Sequence, residues 1–171
     1  RNRFSRHPGK PVRDLTIPAA SADILRKVQC MEINGMTEIF PGMFLTGPIP
    51  RVSGETWGGP FYCDPEGKTE DLIPDEQALL LEEGIMIQGC CHAGIINTLE
   101  FCKKNKPDWI PRTVIGGLHL ISADHNRLRK TADYLKKTEI QTMILLHCTG
   151  EKAVEFLKNE LPDIKILILR S

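Results

Sequence analysis

From residue 85 onward the chain alternates between two hydrophobic rhythms. Ile85-Met86-Ile87-Gln88-Gly89-Cys90 is a short apolar run, and Ala93 to Asn105 then sets Ile95, Ile96, Leu99 and Phe101-Cys102 at helical spacing. Thr113 to Gly117 reads as a second strand. Ala123 to Lys137 is a second helix, with Leu128, Ala132 and Leu135 on one face. Thr142 to Leu146 is a third strand, Glu151 to Glu160 a third helix and Lys165 to Leu169 a fourth strand. Strands alternating with helices of about 10 to 15 residues predict an α/β fold built of βα repeats on a parallel sheet.

The first part of the chain has another texture. Nine of the 12 prolines precede residue 75, which predicts loops and short extended pieces. Glu32 to Ile39 and Met43 to Thr46 are such pieces, separated by the Pro41-Gly42 turn. Residues 47–74 show little periodicity and read as a long surface loop. Its Trp57, Phe61 and Tyr62 make it a candidate lid, with a plain loop as the alternative. The expectation is a single, partial domain over 1–171, with a loop-rich part (1–75) and a βα-repeat part (76–171).

Composition narrows the function classes. A chain of 171 residues and 19.2 kDa suits one domain, and chains of this size bury about 70% of their unfolded surface. Its 22 basic and 22 acidic residues cancel, so no broad electrostatic footprint for nucleic acid or anionic lipid is expected. Apolar runs such as Ile140 to Leu146 fall far short of the roughly 20 residues of a spanning helix. The opening Arg1 to His7 carries no signal-peptide pattern. Six cysteines without a CxxC pair, in a core-rich chain, read as reduced thiols of a cytoplasmic protein.

The chemistry concentrates at strand ends. The first three strands of the repeat part run into His92, His119 and His147, spaced by roughly the 30 residues that one strand-helix repeat takes. In a parallel sheet all three reach the carboxyl edge, where open α/β sheets bind ligands. Each alone reads equally as a hydrogen-bonded strand-end residue. Together they predict a metal site, because neutral imidazole is a common ligand and ligands from separate strands leave a coordination position open. Zinc is the expected ion, with manganese and iron as alternatives. Cys91 and Cys148 flank His92 and His147 and rank second as ligands, behind a reading as small buried residues. His7 and His125 stand outside this pattern, and Asp124-His125 reads as a helix cap. The helix starts after Gly94 and Gly150 offer backbone N–H groups to an anion, as most helix starts do.

These motifs resemble a family. Gly89-Cys90-Cys91-His92-Ala93-Gly94-Ile95-Ile96-Asn97-Thr98-Leu99, Ile115-Gly116-Gly117-Leu118-His119-Leu120 and His147-Cys148-Thr149-Gly150 are similar to the C-terminal half of metallo-β-lactamase-fold proteins. The branch is the one labelled dihydropterin-ribofuranosylaminobenzene phosphate synthase-like. Leu45-Thr46-Gly47-Pro48-Ile49-Pro50-Arg51, Asp75-Glu76-Gln77-Ala78-Leu79 and Arg3-Phe4-Ser5-Arg6-His7-Pro8 resemble further segments of that branch. The resemblance implies an αββα sandwich of two similar halves, with His92 and His147 as the two C-terminal metal-binding histidines. His119 falls near a position where many members use a bridging aspartate, which is a departure. The hallmark His-x-His-x-Asp-His is absent, and the chain reads as a fragment that starts just after it.

Two functions are expected to compete. In the first, a metal held by His92, His119 and His147 supplies a bound hydroxide that attacks an ester, phosphoester or related small substrate. In the second, the chain is a non-catalytic α/β module that binds an anion or completes a site with its missing half. Thiol redox chemistry at Cys90-Cys91 ranks below both, because adjacent cysteines in a strand are poor disulfide partners. An isolated half-sandwich exposes an apolar sheet face, so self-association or pairing with the N-terminal half is also expected.

Overall fold

The computed structural model of the chain describes residues 3–55 and 59–169. Its elements in chain order begin with strands β1 (Phe4–Ser5) and β2 (Arg13–Asp14), helix α1 (Ala19–Leu25), and strands β3 (Thr37–Phe40), β4 (Met43–Leu45), β5 (Phe61–Tyr62), β6 (Ala78–Leu81) and β7 (Ile85–Gln88). Helix α2 (Ile95–Asn105), strand β8 (Thr113–Gly116), helix α3 (His125–Leu135) and strand β9 (Thr142–Leu145) follow. A 3₁₀ turn (His147–Thr149), helix α4 (Glu151–Glu160) and strand β10 (Lys165–Ile168) complete the order.

The described residues fall into two compact units. One takes in the residues through Glu32 and those from 59 to 74. It holds a three-stranded antiparallel sheet in the order β2-β1-β5. Asp71 is its buried anchor: the carboxylate takes Arg3 Nε at 2.7 Å and the Ile73 N–H at 2.9 Å. Asp64 closes a turn by accepting the N–H groups of Lys68 and Thr69. The segment expected as a featureless loop therefore contains a strand, with Phe61 and Tyr62 paired against Ser5 and Phe4. Trp57 lies outside the described residues.

The second unit carries a seven-stranded mixed sheet in the order β10-β9-β8-β7-β6-β4-β3. Strands β7 to β10 are parallel, as the βα rhythm predicts, while β3, β4 and β6 add on antiparallel. Strand β6 escapes the sequence reading because Ala78-Leu79-Leu80-Leu81 has neither alternation nor β-branching. Alternate positions of the sheet (Leu80, Met86, Val114, Met143 and Ile166) join Leu99 of α2, Leu135 of α3 and Leu157 of α4 in one core. The helices pack in sequence, α2 on α3 and α3 on α4.

The opposite positions tell a different story. Leu45, Leu79, Ile87, Ile115, Ile144 and Leu167 stand in register across six strands, so one whole rung of the other sheet face is aliphatic. Ile87 is 38% and Leu167 41% exposed. No helix among the described residues is long and apolar enough to cross a membrane.

Helix α3 starts as the sequence suggests. Asp124 is its N-cap, and the carboxylate accepts the Arg127 N–H at 2.8 Å. Asp124→Ala is expected to cost about 1 kcal/mol of stability in urea unfolding, with Asp124→Asn nearly neutral. Equal losses in the two variants would remove the capping role.

Candidate metal centre

Strands β7, β8 and β9 are neighbours and parallel, so their carboxyl ends leave the sheet side by side. Backbone hydrogen bonds lock those ends: Gly117 N–H to Gly89 C=O at 2.7 Å, and Leu146 N–H to Gly116 C=O at 3.2 Å. Side chains extend the lock, with Gln88 Nε2 donating to Gly117 C=O at 2.9 Å and the Leu118 N–H donating to the buried Thr149 hydroxyl at 3.2 Å. The chain turns sharply here. Cys91 has φ 62° and His119 φ 46°, left-handed values that non-glycine residues seldom adopt outside functional or tightly constrained sites.

Two of the three predicted histidines come together. The rings of His92 and His119 lie 4.6 Å apart between centroids, tilted by 49°. His92 is held from behind by Glu76, which ends the loop before β6. One carboxylate oxygen meets both His92 Nδ1, at 3.0 Å, and the His92 N–H, at 2.7 Å; the other accepts the Ala93 N–H at 2.7 Å. Burial works to raise the Glu76 carboxyl, but these hydrogen bonds outweigh it and hold the group below the usual carboxylate range. A carboxylate on Nδ1 fixes the tautomer and leaves Nε2 as the ligand atom, the outer arrangement typical of metal-binding histidines.

Beside this pair the structure gathers a second set of donors. One ligand atom each from Cys90, His119 and Cys148 lies within 4.8 Å of the others. The proximity of the two thiols pushes Cys90 up to about 12 and draws Cys148 down to about 7, and Cys148 Sγ donates to the Cys90 C=O at 3.9 Å. Gly117 makes room for it, since a Cβ there would sit 2.0 Å from Cys148 Sγ. Thiolate, imidazole and a glycine cradle suit a divalent metal of the zinc type.

The remaining candidates lie outside that group. His147 opens the 3₁₀ turn after β9 with its residue exposed, and the Cys90-His119-Cys148 group does not include it. Cys91 points into the core, 3.6 Å from the Thr98 hydroxyl, and burial pushes its thiol far up. It thus faces away from Cys90, and the adjacent thiols share no site. The first turn of α2, a candidate anion site, already holds the buried Glu55 carboxylate, which accepts the Asn97 N–H at 3.1 Å. His125 rests edge-on against Phe156. A cleft of about 340 Å³ lined by Leu99, Trp109 and Tyr134 touches none of these histidines.

Two participants were not singled out in the sequence. Glu76 follows no spacing rule relative to His92, and only its place in a family-like segment marks it. Cys90 reads in sequence as a strand residue because its partner, Cys148, lies two repeats away.

Comparison with known proteins gives the frame. No family model matches the chain. It is 34% identical over 132 residues to an uncharacterized protein of Methanocaldococcus jannaschii, a match covering 77% of this chain and 49% of that one. It is 37% identical over 98 residues to the 7,8-dihydropterin-6-methyl-4-(β-D-ribofuranosyl)-aminobenzene-5'-phosphate synthase of the same organism, covering 54% of this chain and 33% of the synthase. The crystal structure of a metal-dependent hydrolase of the β-lactamase superfamily superposes with a TM-score of 0.71 at 32% identity, over 80% of this chain and 54% of the other. The chain thus spans about half or less of the length of the relatives it matches. With the motifs and the sheet in agreement, sequence and fold align the chain with the metallo-β-lactamase superfamily and support its dihydropterin-ribofuranosylaminobenzene phosphate synthase-like branch.

Proposed function

We infer that the chain is the C-terminal, metal-holding half of a metal-dependent hydrolase-like enzyme acting on a small ester, phosphoester or related substrate. The observation that carries this reading is the His92-His119 pair at the sheet's carboxyl edge, with His92 oriented by Glu76. The similar solved structure is itself a metal-dependent hydrolase of the β-lactamase superfamily. His92, His119 and His147 are the proposed ligands and zinc the proposed ion. When bound, a divalent metal lowers the pKa of a coordinated water toward neutrality and polarises a carbonyl or phosphoryl oxygen. The chain's own part is positional. Glu76 holds the His92 proton on Nδ1, and the locked ends of β7, β8 and β9 keep the imidazoles from drifting.

The apolar rung from Leu45 to Leu167 supports a partner on that sheet face, proposed as an N-terminal half carrying the remaining ligands. A cytoplasmic location goes with the free thiols. The test is hydrolysis of an activated phosphodiester and an activated ester by the full product of the gene, with and without zinc or manganese. Zinc- or manganese-dependent turnover, lost in both His92→Ala and His147→Ala, is expected. Turnover that survives both substitutions, or none under any metal, would overturn the reading and favour a non-catalytic binding module.

A further inference from the structure

We propose that Cys90, His119 and Cys148 form a thiolate-imidazole site for one soft divalent ion, assembled by this chain on its own. This goes beyond the hydrolase reading, shares only His119 with it, and needs neither His147 nor a substrate.

Three independent features converge. The donor atoms come from the ends of three hydrogen-bonded parallel strands and lie within 4.8 Å of one another. Tetrahedral zinc, with bonds of about 2.3 Å to sulfur and about 2.0 Å to nitrogen, sets its donors about 3.5–3.8 Å apart. The cluster therefore has to close by about 1.3 Å at most, within the reach of side-chain rotations. Space is the second feature. Cys148 Sγ lies over the bare backbone of Gly117, where a methyl group would overlap it at 2.0 Å.

Selectivity among the cysteines is the third. Both Cys90 and Cys148 are free thiols, while the neighbouring Cys91 is turned away into the core against Thr98. The positive φ of Cys91 marks the twist that separates the two side chains. Two sulfurs and one nitrogen choose zinc-like ions over magnesium or manganese, and three protein ligands leave a fourth position open.

Cobalt(II) reports on such a site directly, because thiolate ligation gives a near-ultraviolet charge-transfer band that imidazole and carboxylate ligation do not. The chain, reduced and stripped of metal, is titrated with cobalt(II) and then with zinc. One equivalent producing that band and displaced by zinc is expected, with the band lost in Cys90→Ser and in Cys148→Ser and kept in His147→Ala. Cobalt uptake without the band, or a band that survives both serine variants, would overturn the proposal. So would its loss in a folded His147→Ala variant.

Should the serine variants fail to fold, the unaltered chain still decides. Zinc is expected to slow alkylation of Cys90 and Cys148 at least tenfold, read by peptide mass mapping, while exposed Cys30 reacts unchanged. Equal alkylation with and without zinc overturns the site, as does a Cys90–Cys148 disulfide in place of metal uptake. Failure of the hydrolase reading shows up as absent turnover and leaves the sulfur signature untouched, so the two failures are distinguishable.

Discussion

Gly117→Ala is expected to destabilise the chain by about 3 kcal/mol, the upper range for overpacking a filled site. The new methyl group would meet Cys148 Sγ at 2.0 Å, Cys90 Cα at 3.2 Å and Gly89 C=O at 3.3 Å. Neither backbone can retreat easily, so the strain falls on the Cys148 rotamer. Gly117 is tied to Gly89 by a 2.7 Å backbone hydrogen bond, and Cys148 sits in the turn that Thr149 anchors to Leu118. The origin of the cost is checked by a double-mutant cycle in urea. Cys148→Ala removes the sulfur, so the pair Gly117→Ala/Cys148→Ala should be more stable than the sum of the singles predicts, by about 1–3 kcal/mol of coupling. Strict additivity would show that the contact with sulfur is not what resists the methyl group.

Glu76→Ala is the second large effect, about 2–4 kcal/mol, because three donors lose one ionised acceptor at once. Those donors are His92 Nδ1 and the N–H groups of His92 and Ala93. Glu76→Gln keeps an acceptor and should lose about half as much. The two substitutions also differ from the unaltered chain in acid. Since the folded carboxyl titrates below its ordinary value of 4.5, its stabilisation is complete above that pH and fades as pH falls through the lower folded value. Urea midpoints between neutral pH and pH 3 should therefore drop more steeply for the unaltered chain than for Glu76→Gln. Parallel curves would mean that the carboxylate contributes nothing through its charge.

How much of this was legible beforehand follows from the range of each interaction. The parallel strands and the helices after residue 85 were readable because burial on one face writes a local period into the sequence. The edge position of His92 and His119 followed from that topology alone. The metal-type group, by contrast, is written nowhere in one stretch. Cys90 and Cys148 belong to different repeats, and which of two adjacent cysteines joins the group depends on the backbone turn at Cys91. Glu76 is similarly silent, since it reaches His92 from the far side of the β6–β7 hairpin. The two-residue strands β1, β2 and β5 are too short to show any period, so their sheet was invisible in advance.

The sheet's two aliphatic faces have a consequence for how the chain finds its alignment. Ordinarily a one-residue slip between strands is punished because it turns the greasy side outward. Here Met86, Val114, Met143 and Ile166 would merely trade places with Ile87, Ile115, Ile144 and Leu167, and the penalty is small. The vernier must then come from elsewhere. It comes from the carboxyl ends, where the Gly89-Gly117 and Gly116-Leu146 bonds and the Gln88 amide accept only one setting. The residues that frame the chemistry are thus also the notches that index the strands. Drift at this edge would erase the fold's alignment together with its site, leaving new specificity to arise in the surrounding loops.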